Sequence, residues 1–135
     1  MQLIKDASAE KLRGAYYTPP AIASFILHWG INGGKDADIL EPSCGDGVFL
    51  ECMRDENMPF NTVTAVEYEA VEADKARTLG LNNSEVVNRD FHRFCLDTDK
   101  RFDLVVGNPP FIRYQYYDAV QQKLADEIFK NANLK

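Results

Sequence analysis

No run of apolar residues in this 135-residue chain approaches the ~18 needed to cross a bilayer, so no transmembrane helix is expected. The N-terminal MQLIKDASAEKLRG also lacks the long apolar stretch and small-residue cleavage site of a signal peptide. Cysteine is scarce. Cys44, Cys52 and Cys95 form an odd set without C-x-x-C spacing, which argues against a disulfide framework or a zinc site and favours a reducing, cytoplasmic setting. Clusters of Lys and Arg are missing too: 15 basic residues are scattered among 21 acidic ones, for a net charge of −6. Phosphate backbones are gripped by clustered cations that displace counterions, so this chain is not expected to hold a nucleic acid by itself. If the substrate is a nucleic acid, most of that grip must come from elsewhere.

What is present is enough apolar material, 45% of residues, for one core, without repeats or obvious linkers. Strand and helix signals alternate. In TPPAIASFILHWG, Thr18 reads as an N-cap with Pro19 at the first helical position; Ile22, Phe25, Ile26 and Trp29 follow at helical spacing, and Gly30 stops the run. DADILE is a short strand, GVFLECMRDE a helix, NTVTAVE a second strand, and YEAVEADKARTLG a helix closed by Gly80. SEVVN is a third strand and FDLVVG a fourth, preceded by a poorly patterned connection. In the tail, Val120, Leu124 and Ile128 share one face of a last helix. Such alternation predicts βαβ units and a parallel sheet with right-handed crossovers. Four strands are half to two-thirds of an ordinary nucleotide-binding sheet. The chain therefore reads as truncated; a complete four-stranded miniature is the alternative.

Chemistry concentrates where strands end. EPSCGDG places Gly45 and Gly47 in a turn that lets backbone approach a ligand, although many such turns are plain connections and no third glycine completes a dinucleotide fingerprint. Glu41 puts a carboxylate beside the following helix, where it could hold an amino group. Glu67, about twenty residues past Gly47, ends the second strand where a carboxylate can accept from both ribose hydroxyls. Glu69 and Glu72 read as solvated charges on a helix face. Asp90 could accept from an adenine amino group and Phe91 stack on the base; alternatively Asp90 is a loop cap and Phe91 core.

The tip NPPF, residues 108–111, carries no acid, base or thiol. It suits a substrate nitrogen whose lone pair is delocalised into a ring or carbonyl. Two acceptors, the Asn108 side-chain oxygen and the Pro109 carbonyl, would draw both N–H bonds out of plane and localise that lone pair. Proline fixes φ and removes donors, so Pro109 and Pro110 stiffen an oxygen-rich rim, and Phe111 offers a stacking face. An ordinary Asn-Pro turn is the alternative.

Taken together, GAYYTPP, EPSCGDGVFL, VEYE, RDF and NPPF resemble, in order and separation, the adenine-specific DNA methyltransferases that use S-adenosyl-L-methionine. Within them the likeness is to the subgroup with gamma-type motif order, whose cofactor-carboxylate motif is N-terminal. The resemblance spans residues 14–111 and implies an α/β, Rossmann-like class I methyltransferase fold, shortened to about four parallel strands with flanking helices. It implies a helical segment with a cofactor motif over 1–35, cofactor-binding strands through the catalytic loop over 36–111, and a C-terminal helix over 112–135. By resemblance Tyr17 and Thr18 border the methionine part of the cofactor, with Thr18 on its carboxylate; Glu41 faces its amino group, and Gly45 and Gly47 line the turn. Glu67 is the ribose ligand, Asp90 and Phe91 the adenine ligands. Asn108, Pro109, Pro110 and Phe111 hold a flipped-out adenine by its N6 amino group, extruded from the duplex at about a few kcal/mol.

Departures from the pattern are Asp46 where Ser or Ala is common, Phe111 where Tyr is common, and the absence of later strands and a target-recognition domain. DNA would then be bound through C-terminal regions. Arg113, Tyr114, Tyr116 and Tyr117 either flank the base pocket or brace a loop. Two other readings stay open: an Asn-Pro-Pro-aromatic methyltransferase acting on RNA or a protein glutamine, and an inactive piece that only binds cofactor or self-associates through the edge of the fourth strand.

Overall fold

The computed structural model describes residues 17–32, 36–110 and 117–134. Four strands, β1 (Asp38–Glu41), β2 (Thr62–Glu67), β3 (Ser84–Asn88) and β4 (Leu104–Val105), form one sheet in the order β3-β2-β1-β4. Every pairing is parallel: Ile39 lies beside Val63, Glu67 beside Asn88, and Leu40 beside Val105. Among the described residues five helices accompany them: α1 (Pro20–Ile31), α2 (Val48–Asp55), α3 (Ala70–Thr78), α4 (Phe91–Asp97) and α5 (Ala119–Asn131). Among the described residues no helix is long and apolar enough to cross a membrane.

Successive strand residues point to opposite faces, and both faces are covered. Ile39 and Val63 pack with Ala23, Leu27 and Ile31 of α1 and with Phe49 and Met53 of α2. Ala65 joins Leu50 of α2 and Ala76 of α3. On the other face Leu40 and Val66 meet Phe94 of α4, with Phe91 and Phe102 beside them. Central β2 is therefore buried over four consecutive residues, as a two-sided parallel strand requires.

Several expectations are corrected. Helix α1 begins one residue later than its cap signal suggested: Pro19 holds the cap position without a side-chain hydrogen bond and Pro20 is the first helical residue, which frees Thr18 for another contact. Gly30 does not end α1. The helix continues to Ile31 and closes at Asn32 in the left-handed region, while a Cβ at Gly30 would lie 3.2 Å from the Leu104 methyls. Gly30 is there because α1 rests on β4. The poorly patterned connection is α4, and the fourth strand is paired over only two residues. Glu72 is half-buried rather than solvated; its Oε1 accepts from Lys75 at 2.8 Å, and its Oε2 has no partner among the described residues. In α5, Leu124 and Ile128 are half-buried around buried Ala125, but Val120 is exposed.

The apolar stripe of α1 also faces away from the core. Its buried residues are Ala23, Leu27 and Ile31, whereas Ile22, Phe25 and Trp29 are 50%, 70% and 79% exposed. One flank of α1 is tied to α2 through Cys52 Sγ on the Pro20 carbonyl and His28 Nε2 on Glu56 Oε2, 2.7 Å apart. The opposite flank, with Gly30, lies over Leu104. At 100° per residue Ile22, Ile26 and Trp29 fall toward that second flank, where Ile26, like Leu104, packs against the core while Ile22 and Trp29 remain exposed.

Candidate active site

Because all four strands run the same way, Glu41, Glu67, Asn88 and Val105 end at one edge of the sheet. The strand order reverses between β1 and β4, and a crevice outside the carboxyl ends opens at such a point. Glu41 and Glu67 are the last residues of their strands, Gly45, Gly47, Asp90, Asn108, Pro109 and Pro110 lie on the loops leaving this edge, Phe91 opens α4, and Tyr17 and Thr18 precede α1.

The turn after β1 is held by two backbone bonds: Cys44 N–H to the Val66 carbonyl and Gly47 N–H to the Cys44 carbonyl, both 2.9 Å. Its two glycines do different work. Gly47, at φ 97°, packs on α3, where a Cβ would lie 2.6 Å from Leu79 Cδ1 and 3.2 Å from the Ala76 Cβ. Gly45, at φ 56°, would meet nothing within 4 Å and opens on space that a ligand can enter. Its N–H donates to Glu67 Oε2 at 2.8 Å, and Glu67 Oε1 accepts from Glu69 N–H at 2.8 Å. Glu67 thus sits at the mouth of the glycine turn, fixed in one orientation. Each of its oxygens still has a lone pair for a hydroxyl.

Glu41 is 1% exposed, and its Oε2 has no hydrogen-bond partner among the described residues. Burial, reinforced by the negative charges of Glu67 and Asp46, pushes its carboxyl up to about 8. Gly107 lies over it, with a built Cβ 3.5 Å from Glu41 Cγ. Ser43 Oγ is another buried polar atom without a partner among the described residues. Ser43 was not singled out from sequence, although it lies inside the EPSCGDG motif. Burial also raises the Cys44 thiol, with Glu41 and Glu67 adding to the effect, so Cys44 is a packed thiol and not a nucleophile. Unpaired buried polar atoms are costly and await a donor or acceptor.

Past β3, Asp90 caps α4: its Oδ1 accepts from Arg93 N–H at 3.1 Å. Phe91 stacks on Phe94 with ring centroids 6.2 Å apart and planes at 21°, at the margin of the core. The structural alternatives weighed for both residues are therefore real contacts. They occupy one carboxylate oxygen of Asp90 and one region of the Phe91 ring. Tyr117 meets His92 edge-on at 5.6 Å and braces α4.

Beyond β4, Val106 N–H continues the ladder to the Leu40 carbonyl, and the chain then leaves the sheet at Gly107. Asn108 is half-buried, and its Nδ2 donates to Thr18 Oγ1 at 3.2 Å. Pro109 and Pro110 are exposed, as is Tyr17 at the entry to α1. Phe111, Arg113, Tyr114 and Tyr116 lie outside the described residues. The structure brings Thr18 and Asn108 into contact, Glu41 under Gly107, and Glu67 onto Gly45.

The fold is that of the Rossmann-like class I methyltransferases. A protein from Listeria monocytogenes assigned to the class I S-adenosylmethionine-dependent methyltransferases superposes with a TM-score of 0.63 at 17% identity, covering 84% of this chain and 36% of that one. A protein from Pyrococcus horikoshii assigned as an RNA methyltransferase gives 0.63 at 20% identity, over 90% of this chain and 61% of that one. The chain belongs to the N-6 DNA Methylase family, whose model matches residues 2–135. It is 33% identical over 121 residues to the Type II methyltransferase M.CvrRI of Paramecium bursaria Chlorella virus XZ-6E, covering 82% of this chain and 30% of that protein. It is 29% identical over 119 residues to M.HincII of Haemophilus influenzae, covering 87% and 21%. The chain spans less than a third of the length of these curated relatives.

Proposed function

We propose that this chain is the cofactor-binding and catalytic-loop part of a cytoplasmic enzyme of a restriction–modification system. The enzyme would transfer a methyl group from S-adenosyl-L-methionine to the N6 amino group of adenine in DNA. The observation that carries the reading is that the Asn108–Pro109 turn leaves the sheet directly after Gly107, which lies over the buried Glu41, whose Oε2 has no partner among the described residues. Family membership and the likeness to Type II methyltransferases support it.

The residues present fit the cofactor. An ammonium group would supply the donor and the counter-charge that Glu41 lacks. Glu67 is pre-set to accept from ribose hydroxyls, Asp90 keeps an oxygen for an adenine amino group, and Phe91 borders it. Gly45 leaves room for close approach. Tyr17 and Thr18 border the methionine end, where the Thr18 hydroxyl can donate to a carboxylate. When bound, S-adenosyl-L-methionine supplies an electrophilic sulfonium methyl. Asn108 Oδ1 and the Pro109 carbonyl would accept the two N–H bonds of the incoming amino group and turn its lone pair toward that methyl, with Pro110 stiffening the rim; the expected stacking role of Phe111 falls on a residue outside the described ones. Because an alkylated amino nitrogen is acidic, its proton could leave to water, so the Asn108–Phe111 segment would need no formal base. With a net charge of −6, this chain contributes little phosphate grip, and DNA would be held by other parts of a protein as long as its relatives.

Calorimetric titration with S-adenosylhomocysteine tests the pocket; binding is expected, and no heat at millimolar ligand would overturn the reading. The acceptor is tested by putting this chain in place of its matched segment in M.CvrRI and supplying labelled cofactor. Label on adenine N6 is expected, whereas label on RNA or a protein glutamine would reject it.

A second reading has its own support. Ile22, Phe25 and Trp29 are exposed apolar residues of α1, and β4 has no strand beyond it among the described residues. Through them the 135-residue chain by itself would self-associate.

A further inference from the structure

The amide of Asn108 has two chemically opposite ends. Only its oxygen is useful against a substrate amino group, because the NH2 end would set donor against donor. Some part of the protein must decide which end faces the crevice. We propose that Thr18 is this positioning residue, and that it links cofactor occupancy to the orientation of the Asn108 amide; the proposal rests on the methyltransferase reading above.

Thr18 is 9% exposed and meets Asn108 across ninety residues of sequence, with Asn108 Nδ2 donating to its Oγ1 at 3.2 Å. Two features stiffen Thr18. Its side chain is β-branched and restricted at χ1, and the following proline, at φ −57°, confines Thr18 itself to extended backbone. Since Thr18 is not the helix cap, its hydroxyl is not committed to the α1 backbone.

A hydroxyl carries one proton and two lone pairs. If its proton is donated to an anion, only lone pairs remain, and the only end of Asn108 that can face a lone pair is the NH2. The oxygen is then forced toward the crevice. The cofactor carboxylate, placed on the same hydroxyl, would thus enforce the productive amide orientation and strengthen the Asn108 bond by polarising the O–H. Without an anion the reverse arrangement, with Thr18 donating to Oδ1, competes. Cofactor binding should therefore precede and favour capture of the amino group.

The test is NMR on the 15N-labelled chain, with the Asn108 side-chain NH2 pair identified by its disappearance in Asn108→Asp. In the unliganded protein we expect one Asn108 Hδ2 to show a cross-peak to the Thr18 methyl. Amide hydrogen exchange there should be about five- to tenfold faster in Thr18→Val, the scale of one lost hydrogen bond. Thr18→Ser should restore the slow exchange, which a purely space-filling role would not require. Saturating S-adenosylhomocysteine should slow exchange further in wild type and Thr18→Ser, but not in Thr18→Val. Asn108 signals that ignore Thr18→Val, or a Thr18→Ser variant no better than Thr18→Val, would overturn the proposal. Failure of S-adenosylhomocysteine to bind would reject the cofactor link and the methyltransferase reading, while the unliganded spectra still decide the Thr18–Asn108 contact. A melting temperature for each variant close to wild type confirms that the fold is intact.

Discussion

The Gly45 N–H donates to Glu67 Oε2 over 2.8 Å, joining the turn after β1 to the tip of β2. With Glu69 N–H on the other oxygen, the carboxylate is oriented before any ligand arrives, so a ligand does not have to order it. Glu67→Gln keeps one acceptor but turns an NH2 toward one of two backbone N–H groups. We expect a loss of about 1–3 kcal/mol in stability by urea titration, and at least tenfold weaker S-adenosylhomocysteine binding. Unchanged affinity would remove Glu67 from the pocket.

Glu41 makes stability depend on pH in a definite direction. Its carboxyl is raised from 4.5 to about 8, so between these values the folded chain holds a proton that the unfolded chain has released. Stability is then fully present below about pH 4.5 and is lost as pH rises through 8, by on the order of a few kcal/mol. Thermal melts from pH 5 to 9 should show this slope, and Glu41→Gln should flatten it. A bound ammonium would favour the carboxylate, so ligand binding at pH 7 should release close to one proton. Calorimetry in two buffers of different ionisation enthalpy measures that release; none would mean that Glu41 is already ionised.

The two turn glycines should separate in mutation. Gly47→Ala combines a strained φ of 97° with a Cβ 2.6 Å from Leu79 and 3.3 Å from the Ala76 backbone, and should destabilise by about 2–4 kcal/mol. Gly45→Ala meets no neighbour and should cost only about 1 kcal/mol, for its φ of 56°, but weaken ligand binding more than Gly47→Ala does. Denaturation midpoints compared with binding constants decide it, and the reverse ranking would show that Gly45 does not face the ligand.

Much of this arrangement was legible in the sequence because parallel strands place their last residues at one edge. Glu41, Glu67, Asp90 and Asn108 could be set there by strand endings alone. What periodicity could not tell is which side of an apolar helix faces the core. α1 is apolar nearly all round, and the small Ala23 and Gly30 rather than Phe25 and Trp29 let it lie close to the sheet. Helix α4 went unread because its seven residues mix His92 and Arg93 with three apolar residues and a cysteine, so no stripe stands out. The Thr18–Asn108 contact joins residues ninety positions apart and leaves no local pattern at all.

Asp90 holds two roles that one substitution can separate. Asn caps a helix about as well as Asp, so Asp90→Asn should leave the melting temperature within a degree or two, whereas Asp90→Ala should cost about 1 kcal/mol. With one end of the Asn amide accepting from Arg93 N–H, its other end is an NH2 facing an adenine amino group. Binding of S-adenosylhomocysteine should then fall about tenfold in Asp90→Asn despite intact stability. If affinity follows stability in both variants, Asp90 is a cap and nothing more.

The exposed apolar residues of α1, Ile22, Phe25 and Trp29, make the last prediction. From Pro20 to Ile31 the helix carries no acidic residue and no Lys or Arg, so nothing on it repels a second copy, although the chain as a whole is acidic. Edge strands are normally guarded by charge, and here β4 presents Val105 at 60% exposure with no strand beyond it among the described residues. The isolated chain should sediment as a dimer or larger species at tens of micromolar. Phe25→Lys with Trp29→Glu should shift it to monomer with little change in melting temperature, because both side chains are already in water. A wild-type chain that stays monomeric at high concentration would show that the stripe and the open edge do not suffice for association.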